Sequence, residues 1–151
     1  MPTLSVLVPC LNEEENIEST VMTLIAALEG LINDYEVLIV DDASTDRTGE
    51  IADELASRFP RVKTIHHSRN LGLGGSFHEG AAQATKDYVM TVFGDNEIDP
   101  RSLRALFLNV GKADLIIPFL ANVRLPPPPP LSSRILFAAT ILPFAIAISL
   151  W

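Results

Sequence analysis

YEVLIVDDASTDRTGEIADELASRFP, residues 35–60, changes its hydrophobic period halfway along. The first six residues form the apolar-rich run that a strand buried on both faces requires. Asp41 and Asp42 end it, and Ser44, Thr45 and Asp46 then offer helix-capping side chains. Ile51, Ala52, Leu55, Ala56 and Phe59 recur at helical spacing until Pro60 stops them. This is a strand feeding a helix, with its polar residues concentrated at the junction.

The same alternation extends outward in both directions. Toward the N-terminus, residues 4–8 read as a buried strand closed by Pro9, followed by a helix. Asn12 is its expected cap, Glu13, Glu14 and Glu15 suit its positive end, and Ile17, Val21, Leu24, Ile25 and Leu28 share one face. Toward the C-terminus come a strand at 62–66, a glycine-rich loop at 70–76, a helix at 76–85, a strand at 88–93, a helix at 100–110 and a fifth strand at 115–118. Such alternation predicts an α/β fold, a mostly parallel sheet with helices on both faces. Ligands of these sheets bind beyond the carboxyl ends of the strands. The chain places polar residues there three times: Asn12 and Glu13, Asp41 and Asp42, and the acids between Asp95 and Asp99.

In GDNEIDP, residues 94–100, Asp95, Glu97 and Asp99 alternate, so an extended chain would point all three carboxylates to one side. Oxygen ligands of that kind suit Mg²⁺ or Mn²⁺. The same residues also read as a turn, with Asp99 capping a helix that has Pro100 at its first position.

Composition narrows the classes. A formal net charge of −8 argues against a general nucleic-acid binder. The single cysteine, Cys10, excludes an internal disulfide and a cysteine-rich zinc site, fits a reducing compartment and reads as a packing residue. Residues 1–10 lack the basic start and long apolar run of a secretory signal. Gly72, Gly74 and Gly75 begin like GxGxxG, but Phe77 holds the third glycine position, and there is no P-loop. His66, His67 and His78 lack paired-ligand spacing and are expected on the surface or in loops. Residues 126–130 are all proline, a stretch of polyproline II. Residues 135–151 carry no charge and reach the lower edge of the roughly 17–25 residues of a bilayer span. Pro143 interrupts them and no basic residue follows, which favours an apolar helix lying against protein or in a membrane surface.

Four segments, SVLVPCLNEEENI (5–17), VLIVDDASTDRTGEIA (37–52), RNLGLGGSFHEGAAQATKDYV (69–89) and GDNEIDP (94–100), together resemble the GT-A, family 2 glycosyltransferases. The resemblance is to the polyprenyl-phosphate branch that includes dolichol-phosphate mannose synthase. It implies a GT-A domain over residues 1–122 binding a nucleotide-diphosphate sugar, a proline-rich linker over 123–133, and an apolar helix over 134–151 that opens a further acceptor or membrane-associated part. By position it implies that Pro9, Leu11 and Glu13 line the nucleotide pocket and that Asp42 contacts base or ribose. Asp95, Asn96 and Glu97 occupy the family's DxD place, with glutamate where aspartate is usual. Glu97 and Asp99 would then hold Mg²⁺ or Mn²⁺, Asp95 would contact the sugar-nucleotide or support the ion, and Arg134 would hold phosphate. The implied activity is inverting transfer of the sugar to a dolichyl or undecaprenyl phosphate at the cytoplasmic face of a membrane. A non-catalytic nucleotide-sugar-binding fragment or partner subunit is the alternative. A flavodoxin-like or response-regulator-like module would share the acidic strand ends, but residues 114–119 lack the lysine a regulator needs.

Overall fold

The computed structural model describes residues 2–114 and 116. Four strands, β1 (Leu4–Cys10), β2 (Tyr35–Asp41), β3 (Val62–His66) and β4 (Tyr88–Thr91), alternate with four helices, α1 (Ile17–Leu28), α2 (Thr48–Arg58), α3 (Gly72–Gln83) and α4 (Pro100–Phe107). The sheet order is β3-β2-β1-β4, and every pairing is parallel. β1 and β2 lie at its centre and are buried along their whole length, which is why their sequences are mostly apolar, with Ser5, Glu36 and Asp41 the buried polar exceptions.

Side-chain alternation along the strands assigns the two faces. Leu4, Val6, Val8 and Cys10 join Val37 and Ile39 in the main core, together with Ile17, Val21, Leu24 and Leu28 of α1, Ala52 and Leu55 of α2, and Leu103 and Phe107 of α4. Leu7 and Val40 point the other way, where α3 lies directly on β1 and β2. Gly80 permits that contact, because a Cβ there would meet the Leu7 and Val40 methyl groups at 3.1–3.3 Å.

Pro9 lies inside β1, one residue past the predicted end of the strand. Its carbonyl accepts from the Gly94 amide at 3.2 Å, so its polar side faces β4. The β1–β4 ladder ends at Leu7 and Thr91, because Pro9 has no N–H to donate the next bond toward β4.

Four expected boundaries shift. Asn12 does not cap α1; it takes φ 56, and the helix starts only after the Asn16 and Ile17 amides have closed a turn on the Glu13 carbonyl. The glycine-rich stretch, expected as a loop to residue 76, is helical from Gly72 onward. β4 and α4 end at Thr91 and Phe107, short of the predicted 93 and 110. The expected fifth strand at 115–118, the proline run, Arg134 and the apolar helix at 134–151 lie outside the described residues. Among the described residues, no helix is long and apolar enough to cross a membrane.

Candidate functional site

The loops after β1 and β2 are stitched to each other. The Asn12 amide donates to Ser44 Oγ at 3.0 Å, and Asn12 Oδ1 accepts from the Thr45 amide at 2.8 Å. The Glu13 amide donates to Thr48 Oγ1 at 2.7 Å, the Glu14 amide to Asp46 Oδ2 at 3.2 Å, and the Arg47 amide to Glu14 Oε2 at 3.0 Å. Burial works to raise the Asp46 carboxyl, but hydrogen bonds from the Thr48 hydroxyl and amide and from the Glu14 amide outweigh it and hold it below the usual range. Asn12, Ala43 and Asn96, the three non-glycine residues with positive φ among the described residues, all follow strand ends on this rim. Strain of that kind persists only where surrounding bonds over-determine it, and it concentrates at functional sites.

Between the loops lies a pocket of about 290 Å³. Pro9, Leu11, Glu13, Asp42 and Asp95 line it, so the structure gathers five of the residues singled out in the sequence. Cys10 of β1, Asn70 before α3, Gly72, Leu73 and Ser76 of α3, and Phe93 and Gly94 after β4 complete the wall. Leu11, Leu73 and Phe93 are exposed and give the mouth an apolar edge. Asn96 and Glu97 are not part of the lining, and Arg134 lies outside the described residues.

Asp42 is the most constrained group of the wall. Its Oδ1 accepts from His67 Nδ1 and from the Leu71 amide, both at 2.7 Å, and its Oδ2 accepts from the Gly72 amide at 2.8 Å. Burial would raise its carboxyl; the bonds from His67, Leu71 and Gly72 outweigh burial and keep it below the usual range. Gly72 turns its amide onto Asp42 with φ 72, a conformation that glycine adopts without penalty. The glycine-rich stretch thus begins a helix because a carboxylate about thirty residues upstream receives its first amides.

Of the histidines, His66 and His78 are exposed, in line with expectation, and only His67 departs from it. His67 is buried between Asp42 and Glu79, and His66 bridges Asp41 Oδ2 at 3.1 Å and Asp53 Oδ1 at 3.0 Å. Alternation sorts them: Asp41 and His66 meet on the α2 face of the sheet, Asp42 and His67 on the α3 face. The adjacent pairs DD at 41–42 and HH at 66–67 carried that signal, once β2 and β3 are aligned in parallel register. Cys10 is a packing residue, as expected: burial and then the charge of Asp41 push its thiol up to about 12.

The acids after β4 do not stay extended. The Glu97 amide donates to Asp95 Oδ1 at 3.2 Å, Asn96 is left-handed, and Asp99 Oδ2 caps α4 by accepting from the Arg101 and Ser102 amides at 3.1 and 3.2 Å. Among the described residues, no three His, Cys, Asp or Glu side chains gather into a ready-made metal site. Asp95 and Glu97 nevertheless fit a hard cation that takes one or two carboxylates from the protein and its other ligands from phosphate and water.

A parallel sheet with a pocket at its strand ends, mainly apolar and carrying a few carboxylates, is a doubly wound α/β domain with a place for a small ligand there. The chain belongs to glycosyl transferase family 2, whose family model matches residues 5–124. It is 37% identical over 103 residues to a dolichol-phosphate mannosyltransferase of Pyrococcus furiosus, covering 68% of this chain and 28% of that protein. It is 35% identical over 114 residues to an undecaprenyl-phosphate mannosyltransferase of Micrococcus luteus, covering 74% of this chain and 45% of that one. The crystal structure of S. aureus TarS 1-349 with UDP-GlcNAc superposes with a TM-score of 0.58 at 28% identity, over 69% of this chain and 30% of that one. A mannosyltransferase from Pyrobaculum calidifontis shares the fold with a TM-score of 0.60 at 23% identity, over 72% of this chain and 32% of that one. The chain therefore spans less than half the length of each of these proteins.

Proposed function

We propose that this chain is the donor-binding part of an inverting, metal-dependent glycosyltransferase that moves a sugar from a nucleotide diphosphate to a polyprenyl phosphate at the cytoplasmic face of a membrane. The observation that carries the reading is the strand-end pocket, which sets the fixed Asp42 carboxylate and Asp95 in one wall system. The mannosyltransferases of P. furiosus and M. luteus, named for dolichol phosphate and undecaprenyl phosphate, support the acceptor class. TarS with its UDP-GlcNAc supports the donor class.

In this reading Pro9, Leu11 and Glu13 line the nucleotide, Asp42 accepts a hydrogen bond from base or ribose, and Asn96 lies beside the diphosphate. Asp95 and Glu97 hold Mg²⁺ or Mn²⁺. Asp99 can join them only through Oδ1, because Oδ2 caps α4. When bound, the ion supplies Lewis-acid stabilisation of charge on the departing diphosphate. Arg134 contributes phosphate binding. The acceptor needs no strong general base, because a phosphate monoester with a second pKa of about 6 is already mostly ionised near neutrality. Cys10, pushed up to about 12, is no nucleophile.

Calorimetric titration of GDP-mannose and UDP-glucose, with and without Mn²⁺, tests the reading. One of the two should bind in a metal-dependent way, and Glu97→Ala should weaken that binding at least about tenfold, the order of a lost charge-assisted contact. A folded protein that binds neither nucleotide sugar sinks the proposal.

A further inference from the structure

We infer that His67 is a positioning residue for the nucleotide: its Nδ1–H fixes the Asp42 carboxylate so that a single acceptor site, on Oδ2, remains for an N–H or O–H donor of the nucleoside. The inference deepens the donor-binding reading and rests on it. An ionised carboxylate offers about four acceptor sites. His67 Nδ1 and the Leu71 amide occupy those of Oδ1, and the Gly72 amide takes one of Oδ2. What is left on the pocket side is acceptor only, so it selects ligand donors and rejects ligand acceptors.

The tautomer follows from the partner. Asp42 is held ionised by its hydrogen bonds, so the proton in the 2.7 Å contact sits on Nδ1. His67 is itself almost wholly enclosed, its side chain 2% exposed, and its Nε2 makes no hydrogen bond among the described residues although Glu79 Oε2 stands 3.3 Å away. A histidine retained only for packing gains nothing from a buried, imperfectly partnered nitrogen, whose desolvation is unfavourable. Here the ring, just past β3, lies between Glu79 of α3 and Asp42, the pocket-lining carboxylate just past β2.

The test uses the whole 151-residue protein with GDP-mannose and UDP-glucose as probes, in Mn²⁺, by calorimetry. His67→Gln, which removes the donor from the Nδ1 position, should weaken the nucleotide that binds wild type by about tenfold, as loss of a hydrogen bond to a charged group implies. His67→Asn, whose amide nitrogen occupies that position, should stay within about threefold of wild type. Equal affinities in wild type, His67→Gln and His67→Asn overturn the positioning role while leaving donor binding intact. Wild type that binds neither probe overturns donor binding, and this inference with it. Imidazole nitrogen NMR on the wild type needs no variant to fold: a proton on Nδ1, with a resonance that moves as nucleotide is added, supports the role. A ring protonated only at Nε2 overturns it.

Discussion

Glu36 is a carboxylate within a fully buried strand, next to the apolar run 37–40. Its Oε1 accepts from Ser5 Oγ at 2.7 Å, from the Thr85 amide at 2.7 Å and from Thr85 Oγ1 at 2.8 Å, and its Oε2 meets Lys63 Nζ at 2.8 Å. Burial would raise it, but the bonds from Lys63, Ser5 and Thr85 prevail and bring it from 4.5 to about 2. A carboxyl lowered on folding contributes stability that is present above its unfolded pKa and lost as pH falls through the folded one. Urea denaturation should therefore show wild type losing stability between about pH 5 and pH 2, with this group supplying on the order of 3 kcal/mol at most. Glu36→Gln should be less stable at neutral pH and lose less on acidification. An unchanged acid slope in Glu36→Gln would place the acid sensitivity elsewhere. None of this was legible locally, since Ser5 and Thr85 lie 31 and 49 residues from Glu36. His67 and Asn12 were misread for the same reason: the partners that bury one and redirect the other sit on a neighbouring strand or loop.

At the scale of elements, two contacts decide how helices seat on the sheet. Gly80 is mid-helix, where alanine would ordinarily stabilise by roughly 1 kcal/mol. Here the added methyl would press on Leu7 and Val40, both fully buried and unable to yield. Gly80→Ala should instead destabilise by about 1–2 kcal/mol in urea titrations, the usual result of overpacking; a gain in stability would mean that α3 sits looser on the sheet than its contacts indicate. His66 ties α2 to the ends of β2 and β3. Asp53 and Asp41 raise it above 6.5, against the pull of burial. A histidine raised on folding contributes stability present below 6.5 and lost as pH rises through the folded value. The urea midpoint of wild type should fall as pH rises above 6.5, and His66→Gln should flatten that change; a fall of the same size in the variant would remove His66 as its cause. The elements themselves were largely legible, because β1 and β2 are buried on both faces and α1 and α2 keep an apolar stripe. The start of α3 was not, since glycines argue for a loop and the carboxylate that caps the helix comes from β2.

Across the whole molecule the decisive quantity is the sign of charge around the pocket. A chain of net charge −8 that lines its strand-end pocket with Glu13, Asp42 and Asp95 repels a bare diphosphate, while the nucleoside half of a donor carries no charge to repel. The two halves of the ligand should therefore respond to metal differently. Titrating guanosine and uridine beside GDP and UDP, in Mn²⁺ and then in excess chelator, should show the preferred diphosphate losing at least about tenfold in affinity without metal, the scale of one charge-assisted interaction. The matching nucleoside should keep its weaker binding within about twofold, because the hydrogen bond proposed for Asp42 needs no cation. Asp42→Asn should weaken nucleoside and diphosphate alike while leaving the metal dependence of the diphosphate in place. Diphosphate binding that survives chelation would remove the ion from donor binding and shift the phosphate-holding role to basic groups such as Arg134. Loss of nucleoside binding together with the metal would show that the ion organises the pocket itself, and that the stitched loops around Asn12 and Asp46 do not hold it rigid on their own.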